Sequence, residues 1–92
     1  MIKINVTGFL TEFTEGRRQI QLDGGAMTVC EALTELWRLH PGVRDRVLNE
    51  QGQVRRHINV FLNDENIRRQ QAMETPLNES DEITILPSVS GG

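Results

Sequence analysis

The chain contains a single cysteine, Cys30, and a single lysine, Lys3. One thiol excludes an internal disulfide and any metal site built from several cysteines. The remaining cationic residues are arginines, whose planar, bidentate contacts suit protein interfaces. No apolar run approaches the ~20 residues that span a bilayer. The opening Met1-Ile2-Lys3-Ile4 alternates instead of forming the core of a signal peptide, so a cytoplasmic protein without a membrane partner is expected. A net charge of −3 argues against nucleic acid as a main partner, because phosphate binding needs a basic surface. At 92 residues the chain makes one domain, burying about 60–65% of the surface of its unfolded form. That is too little protein to hold a deep catalytic cleft comfortably.

What the sequence does contain is a regular set of apolar periods. Ile2, Ile4 and Val6 alternate with polar neighbours, which predicts a half-buried strand. Turn-prone residues from Gly8 to Gly16, around Phe9, Leu10 and Phe13, lead to a second strand over Arg18–Leu22. Asp23-Gly24-Gly25 breaks it. Thr28-Val29-Cys30-Glu31 fits a capping box, followed by Val29, Ala32, Leu33 and Leu36 at helical spacing. His40-Pro41-Gly42 ends that helix, and Gly42–Leu48 adds a short helical turn. Ile58, Val60 and Leu62 predict a third strand, closed by the turn Asn63-Asp64-Glu65-Asn66. Ile67 with Arg68 reads as a brief fourth strand, and Gln70–Asn78 as irregular or briefly helical, anchored by Ala72, Met73 and Leu77. A second turn, Asn78-Glu79-Ser80-Asp81, leads into the final strand Glu82–Leu86. One helix on one face of a mixed sheet, with the first and last strands adjacent, buries these stripes.

Nothing else in the sequence is patterned for reaction, so any chemistry is expected at the end of the chain. An apolar strand meets Pro87, then small residues, then Gly91-Gly92. Proline cannot donate to a sheet ladder, so pairing should end near it and leave a tail, residues 88–92, free of the domain of residues 1–87. Glycine has no Cβ, so such a tail passes through channels too narrow for side chains. At an average glycine usage of about 7%, a pair at a given place occurs in about one chain in two hundred, which favours function over chance.

Three stretches then resemble the ubiquitin-like β-grasp proteins of the MoaD/ThiS sulfur-carrier family. They are Ile58-Asn59-Val60-Phe61-Leu62-Asn63-Asp64-Glu65-Asn66-Ile67-Arg68, Asp81-Glu82-Ile83-Thr84-Ile85-Leu86-Pro87, and the terminal Gly91-Gly92. Within the family the ending is most similar to the carrier linked to cysteine synthesis, with the small subunit of molybdopterin synthase next. The resemblance implies an α+β fold: a mixed sheet of four to five strands, one main helix packed on one face, and a free C-terminal tail. It also implies a protein co-substrate, not an enzyme. An E1-like adenylating enzyme would use ATP to activate the Gly92 carboxylate, and a sulfur donor would displace AMP to leave a thiocarboxylate. The tail residues Val89, Ser90 and Gly91 would deliver that sulfur to a biosynthetic partner enzyme, making cysteine or a related thio-product. A protease that trims or recycles the terminus is a further implied partner. No bound cofactor is expected. The alternative in another class is a ubiquitin-like modifier joined to target lysines by isopeptide bonds.

Delivery needs a docking face. Phe61 lies out of phase with Ile58, Val60 and Leu62, and Leu86 out of phase with Ile83 and Ile85, so both should point away from the helix. Arg68, in the pair Arg68-Arg69, could meet an acidic partner, as could Arg55-Arg56. Other residues attract weaker readings. Cys30 sits at the second position of the helix, where a thiolate is favoured, but with no base in its neighbourhood of sequence a buried apolar role is expected. His40 and His57 are separated by a long stretch without a carboxylate pattern, so no metal site is expected. Trp37 reads as core or rim packing. Asp64-Glu65 and Asp81-Glu82 lie in or beside turns, without the cleft that paired-carboxylate catalysis needs.

Overall fold

A computed structural model describes residues 1–23, 27–69 and 71–87, with the side chain of Arg69 left out of the description. The chain begins with strand β1 (Ile2–Val6), in which Ile2, Ile4 and Val6 are fully buried and Lys3 is exposed. Strand β2 (Gln19–Leu22) folds back on it antiparallel, setting Ile4 opposite Ile20 and Ile2 opposite Leu22. A short strand β3 (Met27–Thr28) opens directly into helix α1 (Val29–Leu39). Helix α2 (Pro41–Val47) follows at once, with Pro41 in its first turn, where the missing N–H is no loss. Strands β4 (Ile58–Leu62), β5 (Glu65–Asn66), β6 (Pro76–Leu77) and β7 (Glu82–Pro87) complete the chain.

The main sheet has the order β2-β1-β7-β4-β5, with β1 and β7 parallel and the other neighbours antiparallel. The last strand therefore occupies the centre. A parallel pair needs a crossover, and everything between β1 and β7 serves as one. Across the buried face Ile4 pairs with Ile83, Val6 with Ile85, and Ile85 in turn with Val60. Val29, Ala32, Leu33 and Leu36 of α1 close over these residues, all four with no exposed surface. This is the β-grasp, ubiquitin-like arrangement. The capping box forms as its sequence predicts: the Thr28 hydroxyl accepts from the Glu31 N–H at 3.2 Å, and the Glu31 carboxylate accepts from the Thr28 N–H at 2.9 Å. At the other end the His40 N–H donates to the Leu36 carbonyl.

Two expectations are corrected. The brief strand placed on Ile67-Arg68 lies two residues earlier, at Glu65–Asn66, and Ile67–Arg69 is a turn of 3₁₀ helix. The Asn66 side-chain oxygen accepts from the Arg68 N–H at 2.9 Å, which curls the chain and turns Ile67 into the core. Ala72, expected as an apolar anchor, is exposed in a short 3₁₀ turn at φ 52°, whereas Leu77 is buried and Met73 packs against the core. The stretch expected to be irregular also supplies β6, which pairs with β3 in a separate two-stranded ladder. Trp37 is half-buried against the core, as expected of it.

Because the capping box satisfies two backbone donors at the start of α1, Thr28→Ala should lower stability by about 1 kcal/mol. In a domain of this size that corresponds to a fall of about 4–8 °C in Tm, readable by calorimetry. An unchanged Tm would show that the cap contributes nothing to the fold.

Candidate functional site

The geometry that matters surrounds Pro87, the last described residue before the tail. Residues 88–92 lie outside the described residues, and with them Val89, Ser90, Gly91 and Gly92, so the structure speaks to the root of the tail. Three independent contacts fix that root. Strand β4 pairs with β7 as far as Ile58 opposite Pro87, one position beyond the expected end of the strand. The Thr7 hydroxyl donates to the Ile85 carbonyl at 3.0 Å. Gly8 then lets the chain pass close by Pro87: a Cβ at Gly8 would stand 3.1 Å from Pro87 Cγ, and its φ of +64° is one that side-chain-bearing residues resist. The 3₁₀ helix Gly8–Phe13 begins there, with Leu10 fully buried beneath it.

On the face of the sheet away from α1 the residues are mostly polar and hydrogen-bonded side to side. Gln19 Nε2 donates to Asn5 Oδ1 at 3.0 Å, and Asn5 Nδ2 donates to Thr84 Oγ1 at 3.2 Å, a rung across β2, β1 and β7. Asn66 Nδ2 donates to Asn59 Oδ1 at 3.3 Å on the far side. Phe61 and Leu86 interrupt this polar surface, as the strand phases predict. Phe61 stands opposite Thr84 and Leu86 opposite Asn59, which makes the two diagonal neighbours, about 7–8 Å apart along the backbone and within reach of each other's side chains. Leu86 is 41% exposed and Phe61 is half-buried. The outer face thus offers one small apolar spot, immediately beside the root.

Arg68 is exposed, yet its guanidinium is tied to the body of the protein. Its guanidinium donates from Nη2 to the carbonyls of Arg55 at 2.9 Å and Ile58 at 3.0 Å, and from Nη1 to Asn59 Oδ1 at 3.2 Å. These bonds clamp the start of β4, the strand that holds Pro87. Arg68 therefore braces the site from the surface of the protein.

A second group was not legible in sequence. Phe9, 49% exposed, lines a shallow groove with Arg46, Arg55, His57 and Pro87. Arg46 stacks over the Phe13 ring at 4.8 Å, and Arg55 Nε donates to the Asp45 carbonyl at 3.2 Å. The root of the tail is thus flanked by exposed apolar side chains, Leu86 on the outer face and Phe9 beside Pro87, with arginines close by. Leu86 and Arg55 stood out in the sequence, but Phe9 and Arg46 come from distant segments, and only the turn-prone stretch from Gly8 hinted at the first of these.

The residues set aside in sequence have local tasks. Asp81 accepts from the Asn78 N–H at 2.8 Å and from Asn63 Nδ2 at 3.3 Å, so it shapes the turn before β7. Cys30 is half-buried, and its carbonyl accepts from the Thr34 hydroxyl. Among the described residues no group of three or more His, Cys, Asp or Glu side chains is placed to hold a metal ion. No described helix is long and apolar enough to cross a membrane.

Against known proteins, this geometry has clear counterparts. The sulfur carrier protein CysO of Mycobacterium tuberculosis is 26% identical over 93 residues, covering 99% of this chain and 98% of that one. Small archaeal modifier protein 1 of Haloferax volcanii is 36% identical over 78 residues, 84% of this chain and 85% of its own. The crystal structure of the Amycolatopsis orientalis BexX/CysO complex contains a chain that superposes with a TM-score of 0.88 at 30% identity, each chain covered completely. The ThiS family model matches residues 4–92, from the first strand through the terminal glycines, and the chain belongs to the ThiS family.

Proposed function

We propose that this protein is a sulfur carrier whose working group is the carboxylate of Gly92. A carboxylate is a poor electrophile until it has a good leaving group. An E1-like enzyme would join it to the α-phosphate of ATP, releasing pyrophosphate. A sulfur donor would then attack the acyl carbon and expel AMP, and the resulting thiocarboxylate would be the nucleophile carried to a biosynthetic enzyme. ATP belongs to the activating enzyme, and the carrier itself is a co-substrate.

The observation that carries this reading is the central, three-way-braced position of Pro87. Five residues beyond it reach at most about 17 Å. A fixed root with so short a reach lets docking of the sheet face place the terminus in a partner's active site with little loss of orientation. The apolar pair Phe61 and Leu86 would be that docking contact, and a buried anchor of this kind dominates the energetics of small interfaces. The likeness to CysO over the whole chain, and the CysO chain solved with BexX, favour a biosynthetic acceptor, with cysteine or a related thio-product at the end of the route. A cytoplasmic setting, where ATP is available, fits this chemistry.

A second reading rests on the 36% identity to small archaeal modifier protein 1: the same activated terminus could pass to a lysine of a target protein. The two diverge only in the product. Intact mass of the protein after incubation with its activating enzyme, ATP and sulfide should show one oxygen replaced by sulfur, mapped to Gly92. Covalent adducts on other proteins' lysines, without that exchange, would favour the modifier and overturn the carrier. For the docking spot, Leu86→Glu should slow sulfur delivery by about tenfold or more, the equivalent of about 1.4 kcal/mol. Stability should stay within about 0.5 kcal/mol, because the side chain is well exposed. Wild-type delivery rates in the charged variant would remove Leu86 from the interface.

A further inference from the structure

Strand β2 forms one edge of the main sheet. The Val6 N–H donates to the Arg18 carbonyl at 2.9 Å, so Val6 and Arg18 are a hydrogen-bonded pair of the antiparallel ladder. Such pairs alternate, which makes Ile4 with Ile20 and Ile2 with Leu22 the next two. The backbone N–H and C=O of Gln19 and Gln21 therefore point away from β1, out of the sheet. Among the described residues no hydrogen bond takes them up. Edges of this kind are templates for another strand unless charge or shape blocks them.

Here the charges are arranged to admit one particular strand. The edge reads Arg17-Arg18-Gln19-Ile20-Gln21-Leu22-Asp23, basic at one end and acidic at the other. Arg17 and Asp23 are exposed, and neither makes an ion pair among the described residues. Laid antiparallel against a second copy about a two-fold axis at Ile20, Gln19 faces Gln21 of the other copy in a hydrogen-bonded pair. Arg17 then falls opposite Asp23 at both ends. Moving the axis to Gln19 would set Glu15 against Asp23, two like charges, and moving it to Gln21 would lose both ion pairs. The register is chosen by charge. Leu39, 44% exposed, lines a groove with Ile20, Gln19 and Gln21 beneath the same edge, and the two copies would cover it.

We propose that β2 is a self-complementary edge at which two copies of this chain join into one continuous sheet. Four-residue strands and a single apolar side chain per copy make a small interface, so the dimer is transient and forms at high concentration. The axis runs normal to the sheet. Both outer faces, with Phe61 and Leu86, remain open on the same side, and the two β7 strands point in opposite directions. Each copy keeps its tail root clear, so the dimer presents two termini at once. This inference does not depend on what the terminus carries.

Sedimentation equilibrium up to millimolar concentration should show the mass rising from one chain toward two, more weakly at high salt. In NMR spectra over the same range the amides of Gln19 and Gln21 should shift with concentration, and that of Ile20, bonded inside the sheet, far less. Asp23→Arg should weaken association by about tenfold, since each ion pair becomes a like-charge contact, and the double variant Arg17→Asp with Asp23→Arg should restore it. Both substituted residues are exposed, so folding is not at issue, and circular dichroism checks it. A monomer at every concentration would overturn the proposal. So would a dimer indifferent to the Asp23 change, or one whose shifting amides lie at Phe61 and Leu86 instead.

Discussion

The parallel pairing of the first strand with the last is the constraint on which everything else depends. It sets Ile4 beside Ile83 and Val6 beside Ile85, all without exposed surface, and so makes the C-terminal strand the middle of the sheet. A terminal strand is ordinarily where a domain frays. Here it is flanked on both sides by hydrogen-bonded neighbours and covered by α1, so it lies among the last parts to open. The residues that follow Pro87 thereby gain a fixed point of departure.

Around that point the structure separates two requirements. Rigidity comes from Thr7 and Gly8 on one flank and from β4 on the other, with Arg68 clamping the start of β4 through two backbone carbonyls. The exposed apolar side chains are a different set, Leu86 with Phe61 on the outer face and Phe9 with its neighbouring arginines beside Pro87, and it is to these that the proposed function assigns recognition. The polar rungs Gln19–Asn5–Thr84 and Asn66–Asn59 keep the rest of that face well solvated, which confines the apolar surface to the neighbourhood of the root. A small apolar spot in a polar surround suits partners that dock, react and leave. Membership of the ThiS family agrees with that division of labour.

Much of this was legible in the sequence, because its periods are clean. Alternation in Ile2–Val6 and Ile58–Leu62, and the Thr28–Glu31 box ahead of a helical stripe, each fix one element by local physics. The phases of Phe61 and Leu86 followed from strand geometry alone. What escaped was whatever depends on a side chain choosing between local partners. The Asn66 side chain captures the Arg68 N–H, which sets the strand two residues earlier than expected and makes Ile67 a core residue. Arg68 itself looked like a free surface charge, since its acceptors are carbonyls that sequence does not place. The Phe9 groove joins four separate segments of the chain, around Phe9, Arg46, Arg55 and Pro87, and no periodicity reports that. The outward-facing edge of β2 became visible only once the hydrogen-bonded pairs were known.

If the terminus is the working group and the folded body its frame, removing Gly92 should abolish the chemistry and spare the fold. The decisive comparison sets the full chain against one lacking Gly92, in ATP–pyrophosphate exchange by the activating enzyme and in thermal unfolding. Exchange should be lost on removing Gly92 while the Tm is unchanged. Exchange that persists without Gly92 would refute the assignment of the terminus as the working group.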